Sequence, residues 1–141
     1  MQNKFLFPSF IILILLAGCS VLPGNSQSDL SGTSWTLISF GGESLIDNTA
    51  MTAFFEDGNV NGSASCNHYF GSYTSQGKQI QIEGLGWTEM ACMDPEGIMD
   101  QEFQIMNLLS KSNSYSIQGD TLQIITENGD LLIFQIINDL E

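Results

Sequence analysis

Residues 65–73, SCNHYFGSY, bring together a cysteine, the chain's single histidine and three aromatic side chains, and Cys92 follows in the segment TEMACMDPEG. Three chemistries fit these residue types. The first is a metal site. Cys66-x-His68 and Cys92-x-Asp94 form two matched pairs of ligand types, and an i, i+2 pair on a strand points both side chains to one face. Structural zinc prefers cysteines spaced two to four residues apart, however, and Asp94 already has a use as a helix cap. The second is nucleophilic catalysis, with Cys66 or a serine activated by His68. Neither an orienting partner for the histidine nor an oxyanion hole is visible, and no G-x-S-x-G stretch occurs. The third is a disulfide between Cys66 and Cys92. It closes a loop of about 26 residues and removes roughly 3–4 kcal/mol of unfolded-state freedom in the chain-entropy model. The disulfide leads, and the corner reads as structural; no metal and no cofactor are expected.

That preference depends on where the chain resides. Lys4 precedes the apolar run FLFPSFIILILLA, which ends at Gly18-Cys19. The run is shorter than the roughly 20 residues of a membrane-spanning helix, and the pattern is that of a secretory signal peptide over residues 1–18. Leu16-Ala17-Gly18-Cys19 is similar to a bacterial lipobox, in which Cys19 is acylated (palmitate among its acyl chains) and becomes the mature N-terminus. Two cysteines then remain in an oxidising compartment, an even number. Residues 19–30, small, polar and broken by Pro23-Gly24, read as a lipidated flexible tether. Ser20 beside the lipidated cysteine favours the periplasmic face of the outer membrane. Residues 31–138 fit one domain.

Net charge excludes one class of partner. Without Lys4 the chain keeps two basic residues, Lys78 and Lys111, against 16 acidic ones, a net of −14. Such a surface repels phosphate backbones, so nucleic acid is not expected as a partner. It also repels anionic lipid, which suits a globule held by its anchor.

The elements that position these residues are mostly strands. TSWTLISF (33–40) alternates with a period of two, and MTAFF (51–55) and VNGSAS (60–65) flank a hairpin signal at Asp57-Gly58. KQIQIEGL (78–85) follows, and SYSI, TLQIIT and LLIFQII close the chain as an antiparallel meander. One helix interrupts them. Asp94-Pro95-Glu96 offers an N-cap, a first-position proline and an acid in the first turn. Met99, Phe103 and Met106, with Ile98, Ile105 and Leu109, then recur at helical spacing as a core stripe through about Ser110. The expected fold is α+β and mainly antiparallel β, a curved sheet or partial barrel with one helix packed at one end.

Other residues acquire plain roles. Gly62 and Gly71 suit bends or close approach, Asn67 a turn, and Tyr69 and Tyr73 a partly buried sheet edge or a ligand contact. Asp94, Glu96, Asp100 and Glu102 do not match a calcium loop. Glu102, beside the apolar stripe, is expected to be half buried and paired with backbone donors or a tyrosine.

Taken together, the segments resemble the META/HslJ-like family of small exported bacterial domains. Leu30-Ser31-Gly32-Thr33-Ser34-Trp35 resembles its opening L-x-G-T-x-W. Val60-Asn61-Gly62 with Cys66-Asn67-x-Tyr69-x-Gly71-x-Tyr73 resembles its central motif. Thr88-Glu89-Met90-Ala91-Cys92 resembles T-x-M-A-C, Glu102-Phe103 its acid and aromatic on the helix, and Tyr115 through Phe134 its closing strands. Ser65 departs from the glycine that commonly precedes the cysteine. The resemblance implies a mainly antiparallel β domain with one helix, often on lipoproteins, associated with stress response and the cell envelope, and it supplies no catalytic residue. The leading expectation is therefore a non-enzymatic envelope lipoprotein that binds or supports another envelope protein. The alternatives are a carrier of a small apolar ligand, lined by Phe54, Tyr73 and Trp87, and a metal or thiol protein at Cys66, His68 and Cys92.

Overall fold

The computed structural model describes residues 29–138. The expected signal segment 1–18, Cys19 and most of the tether lie outside the described residues. The strands are β1 (Thr33–Phe40), β2 (Glu43–Ser44), β3 (Thr52–Glu56), β4 (Asn59–Ser63), β5 (His68–Gln76), β6 (Gln79–Trp87), β7 (Ser112–Gln118), β8 (Thr121–Thr126) and β9 (Leu131–Ile136). One helix, α1 (Ile98–Leu109), joins β6 to β7. Neighbouring strands pair antiparallel in the order β2-β1-β3-β4-β5-β6-β7-β8-β9, and β1 also pairs with β9. Eight strands thus close into a barrel, β2 being a short addition beside the end of β1. The mainly antiparallel fold with one helix is as expected, and its sheet is closed.

Alternation places the core. Trp35 and Leu37 of β1, Ala53 and Phe55 of β3, Tyr69 and Tyr73 of β5, Leu122 and Ile124 of β8, and Leu132 and Phe134 of β9 are all buried in one cluster. An eight-stranded barrel is just wide enough for such side chains to fill it. Phe55 and Tyr73 meet edge to face, centroids 5.1 Å apart, a favoured aromatic geometry.

Two irregularities reset the alternation. In β1 the register shifts between Leu37 and Ser39, so the inward positions pass from Trp35 and Leu37 to Phe40. In β6, Ser72 pairs with Glu83 but Phe70 pairs with Gly86, so one residue of β5 faces two of β6. Gly84 takes φ +63 there, the left-handed region that glycine enters without a Cβ penalty. Buried Ile80 and Ile82 are thereby followed on the same side by Leu85 and Trp87.

The helix differs from expectation at both its start and its faces. Asp94-Pro95 is a cis peptide outside α1, and Gly97, at φ 84, is the N-cap, so Asp94 caps nothing. The buried stripe is Ile98, Gln101, Glu102, Ile105, Met106 and Leu109. Phe103, expected in the core, is 67% exposed, because the helical stagger puts it with Asp100, Gln104 and Asn107 on the solvent side. Met99 is half-buried.

β5 is the strand the sequence concealed. Residues 65–73 read as a corner, yet only the first three belong to one; from His68 the chain runs extended to Gln76. Gly71 is internal to this strand, and a Cβ there would press on Leu85 from β6. Gly62 is as constrained, since a Cβ would fall on the carbonyl of Thr52.

The Tyr69 hydroxyl donates to that same carbonyl at 2.9 Å from a buried position. Burial raises the Tyr69 hydroxyl pKa strongly, because the phenolate would lose its hydration. In the unfolded chain tyrosine ionises near pH ~10, so above that the unfolded state holds fewer protons than the native one and stability falls with rising pH. The stability contribution is complete below that pH and is lost toward the raised native value. Chemical denaturation between pH 8 and 11.5, followed by the midpoint, should show this decline, and Tyr69→Phe should flatten it.

Candidate functional site

The corner at residues 64–67 is built around one carboxylate. Ser65 turns the chain with φ 96, in the left-handed region, where side chains other than glycine carry strain. Its hydroxyl donates to the carbonyl of Ala50 at 3.1 Å, holding the turn against the segment before β3. The turn presents the next two backbone N–H groups to α1. Glu102, on the buried face of that helix and only 2% exposed, accepts both through Oε2, from Cys66 N at 3.2 Å and Asn67 N at 2.8 Å. Its Oε1 accepts from Asn67 Nδ2 at 2.6 Å. The expectation of backbone partners is met, with deeper burial than foreseen; no tyrosine takes part in these three bonds.

Asn67 extends the network. Its Oδ1 accepts from Thr88 Oγ1 at 2.7 Å and from Met90 N at 2.8 Å, while Nδ2 also donates to Met90 O at 3.2 Å. Both amide groups are thus saturated, as a side chain 1% exposed requires. Read from sequence as a turn residue, Asn67 is instead the peg on which the segment after β6 hangs. Gln101 does the same for another segment. Its Oε1 accepts from Ile46 N at 2.6 Å and its Nε2 donates to Thr49 Oγ1 at 3.0 Å, fixing the long connection between β2 and β3. The available signal was two adjacent polar residues inside an apolar helical stripe.

Cys66 and Cys92 are joined in a disulfide with Cα atoms 6.0 Å apart. While that bond stands, neither sulfur is a thiolate ligand or nucleophile. His68 is exposed at the start of β5, where Thr88 receives its backbone N–H through Oγ1 and donates its own N–H to the His68 carbonyl. Among the described residues no cluster of three or more histidine, cysteine and acidic side chains has the arrangement of a metal site.

The aromatics proposed to line a single pocket are separated. Tyr73 points into the barrel, raised in pKa chiefly by its burial. Phe54 lies on the outer face of β3, in register with Ser34 and Asn61, and Trp87 stands at the helix end of β6. They cannot share a ligand, because strand alternation sends Phe54 and the buried Phe55 to opposite faces. Tyr69 is wholly internal. Trp87 is instead the wall of a different feature. With Gly84 and Leu85 of β6 it lines an open groove of about 380 Å³, together with Phe103, Met106 and Asn107 of α1 and its C-cap Ser110. Met90 and Met93 are also exposed, on the segment that Asn67 and the disulfide hold.

Glu102→Gln tests this network. Two donors converge on one oxygen and a third on the other, so either orientation of the amide sets an N–H against an N–H. A loss of about 1–3 kcal/mol in unfolding free energy is expected, measured by urea denaturation of the oxidised protein.

A model of the META domain matches residues 28–138. Comparison with curated proteins finds no match. Among solved structures, the chain is similar to the NMR structure of a protein from Burkholderia xenovorans, with TM-score 0.64 and 26% identity over 77% of this chain and 84% of that one. A second NMR structure aligns with TM-score 0.61 and 20% identity over 76% and 91% of the two chains. A crystal structure of a DUF4847 family protein from Bacteroides vulgatus aligns with TM-score 0.56 and 13% identity over 79% and 96%. The last two support the fold alone. With the domain model spanning the barrel, the stapled corner and the helix, the chain belongs to the META domain family.

Proposed function

We propose that this META-domain protein is a lipid-anchored component of the cell envelope that binds another envelope protein without catalysing a reaction, in a stress-related role. One observation carries the reading. The barrel is filled by its own side chains, and its exposed Trp87, Met90, Met93 and Phe103 stand at the α1 end. The chain enters at the opposite end, where Gly32 N donates to Phe55 O and Asp57 N to Ser31 Oγ. A tether joined there attaches the domain at the end of the barrel far from these side chains. Solvent-facing aromatic and methionine side chains of this kind are typical of contact surfaces. The acidic surface keeps the globule soluble at its tether. With the interior filled by its own side chains, an apolar-ligand carrier would have to bind at the surface, which ranks that role second.

The reading predicts that the full chain, expressed in a diderm bacterium, takes up an alkyne analogue of palmitate and sediments with membranes. Cys19→Ala should lose the label. In native extracts the labelled protein should migrate above its monomer mass. An unlabelled chain, or a labelled one that is monomeric throughout, would contradict it.

A further inference from the structure

The groove between β6 and α1 lies where the barrel is least sealed. β6 and β7 share one register pair, Gln79↔Ser114, supplemented by the bond from Tyr115 N to Lys78 O. Beyond Gln79 no register pair continues between them among the described residues, and Gly84, Leu85 and Trp87 line the groove together with residues of α1. An edge without a ladder partner is a template for another extended chain. A Cβ on Gly84 would meet nothing within 4 Å, so the space beside this residue is open. Leu85 and Met106 are set in the groove's lining, and Trp87 (41% exposed) and Phe103 face each other across it.

Charge decides what chain fits. Exposed Glu83 precedes the glycine, exposed Glu89 follows Trp87 by two residues, and exposed Asp100 stands one helical turn before Phe103. Lys111, just past Ser110, is the one basic residue beside the groove, in a chain carrying −14 without its signal segment. A second copy of this chain would bring the same negative charge. Anionic lipid is repelled, and the groove faces away from the anchored end. A basic segment gains from the three acidic residues, which outnumber Lys111 around the groove.

We propose that this groove docks an extended segment of a partner protein in which apolar residues alternate with lysine or arginine, added along β6 with an apolar side chain between Trp87 and Phe103. This rests on reading the domain as a binding module. The test uses the full mature chain in phosphatidylcholine nanodiscs and two synthetic peptides of about ten residues, the length of a typical strand or slightly more. One alternates apolar residues with lysine, the other with glutamate. Fluorescence follows Trp87, since Trp35 is buried. The lysine peptide should shift the emission to the blue and saturate, and the glutamate peptide should not bind. Phe103→Ser should weaken the lysine peptide about tenfold or more, the scale of an aromatic anchor, with an unchanged melting temperature because the residue is exposed. Equal binding of both peptides, binding that Phe103→Ser leaves intact, or preference for anionic phosphatidylglycerol vesicles would overturn the assignment. If neither peptide binds while native extracts still hold a larger complex, the groove fails and the binding module stands. If the complex is absent too, both fail.

Discussion

Glu102 is the constraint on which the organised end of this molecule depends. A carboxylate taken out of water is destabilising unless donors replace its hydration. The sequence supplies them from a turn that glycine would make more readily than Ser65 does. Two successive N–H groups and one amide reach the carboxylate. The arrangement works in both directions: the helix is fixed on the barrel mouth by the corner, and the corner is held in an otherwise strained conformation by the helix. Asn67 then transmits the position to residues 88–90, and the disulfide repeats the connection covalently two residues later. Neutral and charged hydrogen bonds with a cross-link on one corner make that region rigid.

The two ends of the barrel consequently differ. At one end the chain enters, and Leu30 and Ser31 settle against the β3–β4 turn. At the other, buried polar groups fix a helix whose outward face carries Phe103 next to Trp87. A bulge interrupts the β5–β6 ladder, and β6 meets β7 at one register pair. The geometry is that of a barrel with two unlike ends, one receiving the chain and the other carrying the helix. Under the proposed function the strongly acidic balance of the sequence adds to this division, since it would disfavour self-association and nucleic acid and favour basic partners.

Much of this was legible in the sequence. The terminal meander and the Asp57-Gly58 hairpin were clear because turn residues separate strongly alternating runs. Cys66 and Cys92 were paired by an argument about compartment and count, and Glu102 stood out as an acid beside an apolar stripe. What was hidden has physical reasons. β5 directly follows an asparagine, begins with a histidine and has a glycine near its centre, residue types that signal turns unless the partner strand is known. Gly71 belongs there because Leu85 occupies the space its side chain would need. Asp94-Pro95 has the composition of a helix start, but the helix begins further on, with Gly97 as its N-cap. Phe103 was assigned to the core by its helical spacing with Met99 and Met106, whereas the buried stripe runs through Gln101 and Glu102. Those polar residues are buried only because distant backbone comes to meet them, which local spacing does not encode.

Native-state amide hydrogen exchange of the oxidised protein measures the central interaction directly. If Glu102 holds the corner as described, the amides of Cys66, Asn67 and Met90 should exchange only through global unfolding, with the same protection as Leu37 and Phe134 in the barrel wall. Exchange of those three amides through local opening, while the wall stays protected, would show that the corner is not the structural node described and that its bonds contribute little to holding the helix end.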